Sequence, residues 1–143
     1  MIILDTNVIS EGFKPKPDPA VLNWLNEHAR RGFFLCAPVL AELRYGIERL
    51  PPGARRNGLD RLVANAVTSL FAGDILPFDR SSAHEFGRVF AKRQKVGRPM
   101  APMDALIAAI AVANGMSIAT RDIDGFVGLD IELINPFEAS SPR

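Results

Sequence analysis

The feature that most restricts the fold is a repeated pairing of short, continuously apolar runs with longer stretches of helical period. Met1-Ile2-Ile3-Leu4 is apolar without alternation and stops at Asp5. Such a run fits a strand buried on both faces of a parallel sheet. Phe33 to Cys36 repeats the pattern, and Ile75 to Phe78, Met116 to Ala119 and Ile131 to Ile134 also read as short strands, the last two interrupted by Ser117 and Glu132. Helical signals fill the intervals. Asp18-Pro19 forms an N-cap with proline at the first helical position, ahead of Val21, Leu22, Leu25 and Ala29. Pro38 opens a second helix along Val39, Leu43, Ile47 and Leu50, which Pro51-Pro52 ends. Leu59, Leu62, Val63, Ala66, Val67 and Leu70 form one stripe of a third, with Gly73 placed to stop it. Ser82 and Glu85 resemble a capping box ahead of Phe86, Val89 and Phe90. Pro102 starts a helix over Met103 to Asn114 that is apolar almost all round and that Gly115 caps. Parallel strands need crossovers, so the expected architecture is α/β: three layers, with a central parallel sheet of about five short strands flanked by helices.

A chain of 143 residues with 48% apolar content is expected to form a single domain, here residues 1–137, with 138–143 as a frayed tail. Composition matters chiefly for what it excludes. Cys36 is the only cysteine, so neither an internal disulfide nor a thiolate zinc site is available, and a reducing, cytoplasmic setting is expected. The longest apolar run, Ala105 to Ala113, has nine residues. A membrane-spanning helix needs about 20, so no membrane anchoring is expected. The net charge is only +1, but its distribution is uneven. Arg88, Lys92, Arg93, Lys95 and Arg98 fall in a stretch without acids, whereas Asp122 to Glu138 holds five acids and no base. A basic run of this kind is either a solvated helix face or a nucleic-acid surface.

In open α/β sheets ligands collect beyond the carboxyl ends of the strands. Asp5 follows the first strand, Glu42 lies in the early turns of the helix after the second, and Asp122 follows the fourth. Asp104 sits in the first turn of the apolar helix just before that fourth strand. Each has an ordinary structural reading. Asp104 complements a helix dipole, Glu42 is one polar position on an amphipathic helix, Asp5 caps a short helix from Asn7 to Gly12, and Asp122 caps a turn ahead of Gly125. Their joint placement favours one carboxylate pocket, with Asp5-Thr6-Asn7 as a strand-end loop. Two carboxylates ~4 Å apart repel by roughly 4 kcal/mol at an effective dielectric near 20, so the pocket needs protons or a cation. Ligands that are all oxygen point to Mg²⁺ or Mn²⁺. His28 and His84 lack ligand or triad spacing and are expected at the solvated surface, and Cys36 is expected to be inert packing. No G-x-x-x-x-G-K-[ST] loop, G-x-G-x-x-G fingerprint or G-x-S-x-G elbow occurs.

Four blocks together resemble the PIN domain, and within it the VapC/FitB-like toxins: Met1 to Glu11 with Asp5-Thr6-Asn7, Ala41-Glu42-Leu43-Arg44-Tyr45-Gly46, Met103-Asp104-Ala105-Leu106-Ile107-Ala108-Ala109 and Ala119-Thr120-Arg121-Asp122. The resemblance implies a Mg²⁺- or Mn²⁺-dependent ribonuclease, a homodimer, held inactive by a small antitoxin whose other end binds operator DNA. It implies that Asp5, Glu42, Asp104 and Asp122 are the acidic quartet, with Asp5 and Asp104 as the most direct metal ligands and Thr6, Asn7 and Thr120 in support. Asp124 competes with Asp122 for the fourth place, and Pro102-Met103 is bulkier than the small residues usual there. Arg88, Arg93 and Arg98 become candidate RNA contacts. Two rivals stand beside this reading: a nuclease-inactive RNA- or protein-binding module, and a structure-specific DNA nuclease, for which 143 residues leave little room.

Overall fold

The structure, a computed structural model, describes residues 1–138. Five strands, Ile2–Leu4 (β1), Phe33–Cys36 (β2), Ile75–Leu76 (β3), Ser117–Ala119 (β4) and Leu133–Ile134 (β5), form one sheet in the order β3-β2-β1-β4-β5. All four pairings are parallel. Six α-helices flank them: Thr6–Gly12 (α1), Pro19–His28 (α2), Ala37–Glu48 (α3), Ala54–Ser69 (α4), Arg80–Lys95 (α5) and Pro102–Asn114 (α6). The expected tail lies outside the described residues from 139 onward. Among the described residues no helix is long and apolar enough to cross a membrane.

The core follows from the apolar runs. Every residue of β1 and Ile118 and Ala119 of β4 are buried, as continuous runs covered on both faces require. In α6, Ala105, Ile107, Ala108, Ala109, Ile110 and Ala111 are all fully buried. Alanines on three sides let this helix approach α5, α3 and β4 at once. Gly115 ends it at φ 63°, where a side chain would be strained.

Four local expectations change. Asp5-Thr6-Asn7 is not a loop; Asp5 caps a short helix, as its ordinary structural reading has it, and that helix, α1, begins at Thr6 and not at Asn7. The cap of α5 is Asp79, whose side chain accepts from both the Ser82 amide and hydroxyl at 3.0 Å, while Ser82 is buried inside the helix and Glu85 pairs with Arg88. Asp79, three residues upstream, caps the Ser82 amide itself, so the helix starts almost one turn before the expected serine cap. Of the α4 stripe only Val63 is buried, and Leu62 and Leu70 are 45% and 49% exposed, because α4 packs against α3 with no further layer over it. His28 is half-buried and not solvated: its ring stacks on Trp24 at 4.7 Å and its Nδ1 lies 2.9 Å from the Trp24 carbonyl. Cys36 is buried, and burial pushes its thiol up to about 12.

These placements separate core from surface in a way that urea unfolding can check. Ile107→Ala should lower stability by ~2–5 kcal/mol through lost transfer energy and a residual cavity. Leu62→Ala, on the open face of α4, should stay within ~0.5 kcal/mol.

Candidate active site

The sheet order places the first strand in the middle. From β1 the chain moves outward through β2 and β3, then returns to β4 on the other side. The carboxyl ends of β1 and β4 therefore border the crevice where the strand order reverses, the usual ligand position in such sheets. Register completes the placement: Leu4 pairs with Ala119, and the Asp5 amide donates to the Ala119 carbonyl at 2.9 Å. Asp5 and Thr120 are thereby brought side by side at the strand ends.

Asp5 is 5% exposed and Thr120 fully buried. The Asp5 carboxylate accepts from the Thr6 amide at 2.8 Å and from the Thr120 hydroxyl at 2.7 Å. Asn7 Nδ2 lies 3.5 Å from the same carboxylate and donates to Thr120 Oγ1 at 3.4 Å, while Asn7 Oδ1 accepts from the Arg121 amide at 3.0 Å. Thr120 Oγ1 also accepts from the Asp122 amide at 3.0 Å. Thr6 turns the other way, donating its hydroxyl to Glu42 Oε1 at 3.0 Å. Thr6, Asn7 and Thr120 thus link three of the four acids through hydrogen bonds of 2.7 to 3.5 Å.

Asp104 comes to the group from the first turn of α6, and Asp122 from the turn after β4. Gly125 shows how close the two are. A Cβ there would lie 2.7 Å from Asp122 Oδ2 and 3.1 Å from Asp104 Oδ2, so both carboxylates border the space that its missing side chain leaves. The Gly125 amide donates to Asp122 Oδ1 at 3.2 Å. Among the described residues, these ties of Asp122 have no counterpart at the exposed Asp124 carboxylate, whose residue enters the network only through its backbone carbonyl.

The electrostatics are those of crowded acids. Burial pushes Asp5 above its ordinary value, against the bonds from Thr120 and Thr6, and the charge of Asp122 adds to the rise. Burial likewise raises Glu42, with Asp5 contributing. Asp104 rises to about 6, first through burial and then through the charges of Asp5, Asp122 and Glu42, with Arg93 opposing. Among the described residues no three potential ligands already stand together as a closed cation cage. Crowded like charges of this kind are relieved by protonation or by a cation. An all-oxygen donor set and a space that a Cβ would fill fit a small, hard divalent ion.

The basic run does not form one surface. Arg93 is 5% exposed, and its guanidinium is bound to the carbonyls of Arg98, Asp124, Gly125 and Val127, so it is removed from the candidate RNA contacts. Its spacing with Val89 on α5 puts it on the buried side, a signal that charge counting overrides. Arg88 pairs with Glu85 at 2.8 Å and lines a cleft by Met116 and Glu132, at the amino ends of β4 and β5, away from the acids. Arg98 is exposed. Two positions escape the sequence reading. Gly125 gives no signal beyond being a glycine near a strand end. Arg121 stands between Thr120 and Asp122, with its guanidinium 4.0 Å from the centre of the Phe137 ring.

The raised Asp104 value has a definite consequence for the metal-free protein. More protons are bound in the folded state than in the unfolded one between pH ~4 and ~6, so stability from this group is full below the lower value and lost as pH rises through about 6. Asp104→Asn should therefore be more stable than the parent in EDTA at pH 7.5, by on the order of 1 kcal/mol after allowing for its half-exposed position. The gain should vanish near pH 4. Urea midpoints at the two pH values decide it, and equal midpoints at pH 7.5 would contradict the crowding.

Comparison with known proteins gives a consistent relationship. The PIN domain family matches residues 2–131. The VapC ribonuclease Y4jK of Sinorhizobium fredii is 39% identical over 138 residues, covering 96% of this chain and 99% of that protein. Toxin FitB of Neisseria gonorrhoeae is 37% identical over 137 residues, covering 96% and 99%. The crystal structure of FitAcB from Neisseria gonorrhoeae superposes with a TM-score of 0.88 at 37% identity, covering 96% of this chain and 99% of the matched one. A match along nearly the whole of these relatives, with the same sheet and helices, places the chain in the PIN domain family beside VapC and FitB.

Proposed function

We propose that this chain is a metal-dependent ribonuclease and the toxin of a toxin-antitoxin pair, active on RNA phosphodiesters at the group formed by Asp5, Glu42, Asp104 and Asp122. The observation that carries the reading is Asp104: burial and three neighbouring carboxylates raise it to about 6, and its carboxylate and that of Asp122 converge on Gly125, where no side chain fits. The names of the relatives, a VapC ribonuclease and a toxin, supply the reaction class.

Asp5 and Asp104 would hold Mg²⁺ or Mn²⁺, with Asp122 and Glu42 completing its surroundings. Asp5 is oriented from two sides, by the Thr6 amide and the Thr120 hydroxyl. Glu42 is aimed by the Thr6 hydroxyl, which leaves its second oxygen free to take a proton from an attacking water. When bound, the cation supplies charge that lowers the pKa of that water and offsets negative charge on the phosphoryl oxygens. Arg121, steadied on Phe137, and exposed Arg98 are the cations placed to meet the RNA backbone. The antitoxin would occupy the groove of about 600 Å³ that starts at Thr6 and Glu42 and continues past Leu43, Leu50, Leu59 and Leu62, which also gives the open face of α4 a partner. Homodimerisation and a cytoplasmic setting complete the proposal.

Purified chain, freed of antitoxin, should cleave tRNA or single-stranded RNA with Mg²⁺ or Mn²⁺ and not with EDTA. Asp5→Asn and Asp104→Asn should each lose more than about 100-fold in rate; Glu138→Gln should cut as the parent does. Cleavage that persists in EDTA, or that survives Asp104→Asn, would reject the metal-centred reading. Binding without cleavage would favour the nuclease-inactive alternative, and cleavage of DNA in place of RNA would favour the structure-specific nuclease.

The two arginines have their own test. The double variant Arg98→Ala, Arg121→Ala should weaken binding of single-stranded RNA to the Asp104→Asn protein. It should also reduce the slope of log affinity against log salt by about 0.7 for each phosphate that is no longer neutralised. An unchanged slope would return both arginines to a solvated surface.

A further inference from the structure

Helix α5 carries a cation that the proposed reaction does not use. Arg93 is almost fully buried, and every bond its guanidinium makes is to a backbone carbonyl. Nε donates to Arg98 at 2.7 Å, Nη1 to Gly125 at 3.1 Å and Val127 at 3.0 Å, and Nη2 to Asp124 at 3.3 Å. Among the described residues no carboxylate forms an ion pair with it. A buried charge with no carboxylate bonded to it, only the field of Asp104 nearby, is a costly way to join a helix to a loop, since an apolar side chain of similar volume does so without desolvation. A rigid planar fork offers something an apolar side chain cannot: it fixes several carbonyls in one geometry.

Three of the four carbonyls lie in residues 124–127, immediately after Asp122. This segment runs beside the acids with no room for a side chain at Gly125. The missing Cβ of Gly125 would fall 2.7 Å from Asp122 Oδ2 and 3.1 Å from Asp104 Oδ2, and the Gly125 amide holds Asp122 Oδ1. A shift of this backbone therefore carries with it the amide that holds Asp122 and brings Gly125 Cα against two carboxylates.

We infer that Arg93 is a positioning residue for the acidic site: its guanidinium, anchored on four carbonyls, holds segment 124–127 at the spacing from Asp104 and Asp122 that leaves room for the cation. The inference rests on the proposed function, because it concerns the geometry of that metal site. Arg93 itself touches neither cation nor RNA; it acts through the backbone of Gly125. Lysine at this position keeps the charge and most of the stem but cannot span three carbonyls of one segment, so charge alone does not substitute.

The test uses the full chain free of antitoxin and Mn²⁺ alone as the probe, with affinity read by titration calorimetry and fold by circular dichroism and thermal melting in EDTA. Arg93→Lys and Arg93→Gln should bind Mn²⁺ at least about tenfold more weakly, in the range seen when supports of metal ligands are removed. Val89→Ala is the control: it removes buried packing from the same helix without touching the segment, and should lower the melting temperature while leaving Mn²⁺ affinity within about twofold of the parent. Gly125→Ala approaches from the other side. Its Cβ pushes the same segment off the carboxylates and should reproduce the loss, which keeps the inference testable if the Arg93 variants do not fold. Parent-like affinity in Arg93→Lys or in Gly125→Ala overturns the inference, as does a loss in Val89→Ala as large as in the Arg93 variants. A parent chain that takes up no Mn²⁺ overturns the proposed metal site and the inference together. A parent that binds Mn²⁺ beside variants that bind it equally well overturns the inference alone.

Discussion

A carboxylate buried at the junction of two parallel strands is the constraint on which the rest depends. Asp5 is removed from water almost completely, and an acid in that position must find donors or remain protonated. The donors come from two sources that only this topology joins: the first amide of α1, one residue along the chain, and the Thr120 hydroxyl, 115 residues away. The second is available only because β4 lies directly beside β1 with Leu4 opposite Ala119. A slip of one residue would point Thr120 to the other face and leave Asp5 without its partner. The register of the central strand pair and the chemistry of the site are thus one requirement.

The four acids are not equivalent under this constraint. Asp5 is held by hydrogen bonds that favour its charged form, so its burial is partly offset. Asp104 has neighbours that oppose ionisation and little that favours it apart from the charge of Arg93, so its ionised form has the most to gain from added positive charge. Glu42 lies between, steadied by one hydroxyl. On the proposed function, such a site has one acid fixed beforehand and one that gains most when positive charge arrives. That combination favours reversible uptake of a hard ion over a permanently closed cage, in keeping with the open arrangement of the acids.

Much of the architecture was legible from the chain, and the reason is physical. Continuous apolar runs of about four residues have few solutions other than doubly covered parallel strands, and Phe33–Cys36 occurs as such a strand with the bounds its run predicts. Proline and glycine punctuation placed the ends of α6 for the same reason. What escaped were features set by partners distant in sequence. Asp79 and Ser82 compete for one cap, and only the path of the chain decides between them. Gly125 matters because Asp104, 21 positions earlier, is folded against it. Arg93 sits in a run of bases that counting treats alike, yet its place on the buried side of α5 separates it from Arg88 and Arg98.

The basic run therefore illustrates how net charge and function part company. Arg88 is an exposed cation already paired with Glu85, and Lys92 lies 3.8 Å from Asp130, so both are compensated locally on one flank of α5. Exposed pairs of this kind contribute little to stability and present little field to a polyanion. Arg93 contributes its shape more than its charge, as a planar donor bound to carbonyls. On the proposed function, an RNA backbone approaching the acids would instead meet Arg121, between Thr120 and Asp122, and exposed Arg98 in the loop ahead of α6. Separation of this kind follows from the acids themselves. A dense basic surface touching Asp104 would stabilise its ionised form and weaken its demand for a divalent ion, whereas cations kept at the rim can attract a phosphate and leave that demand intact.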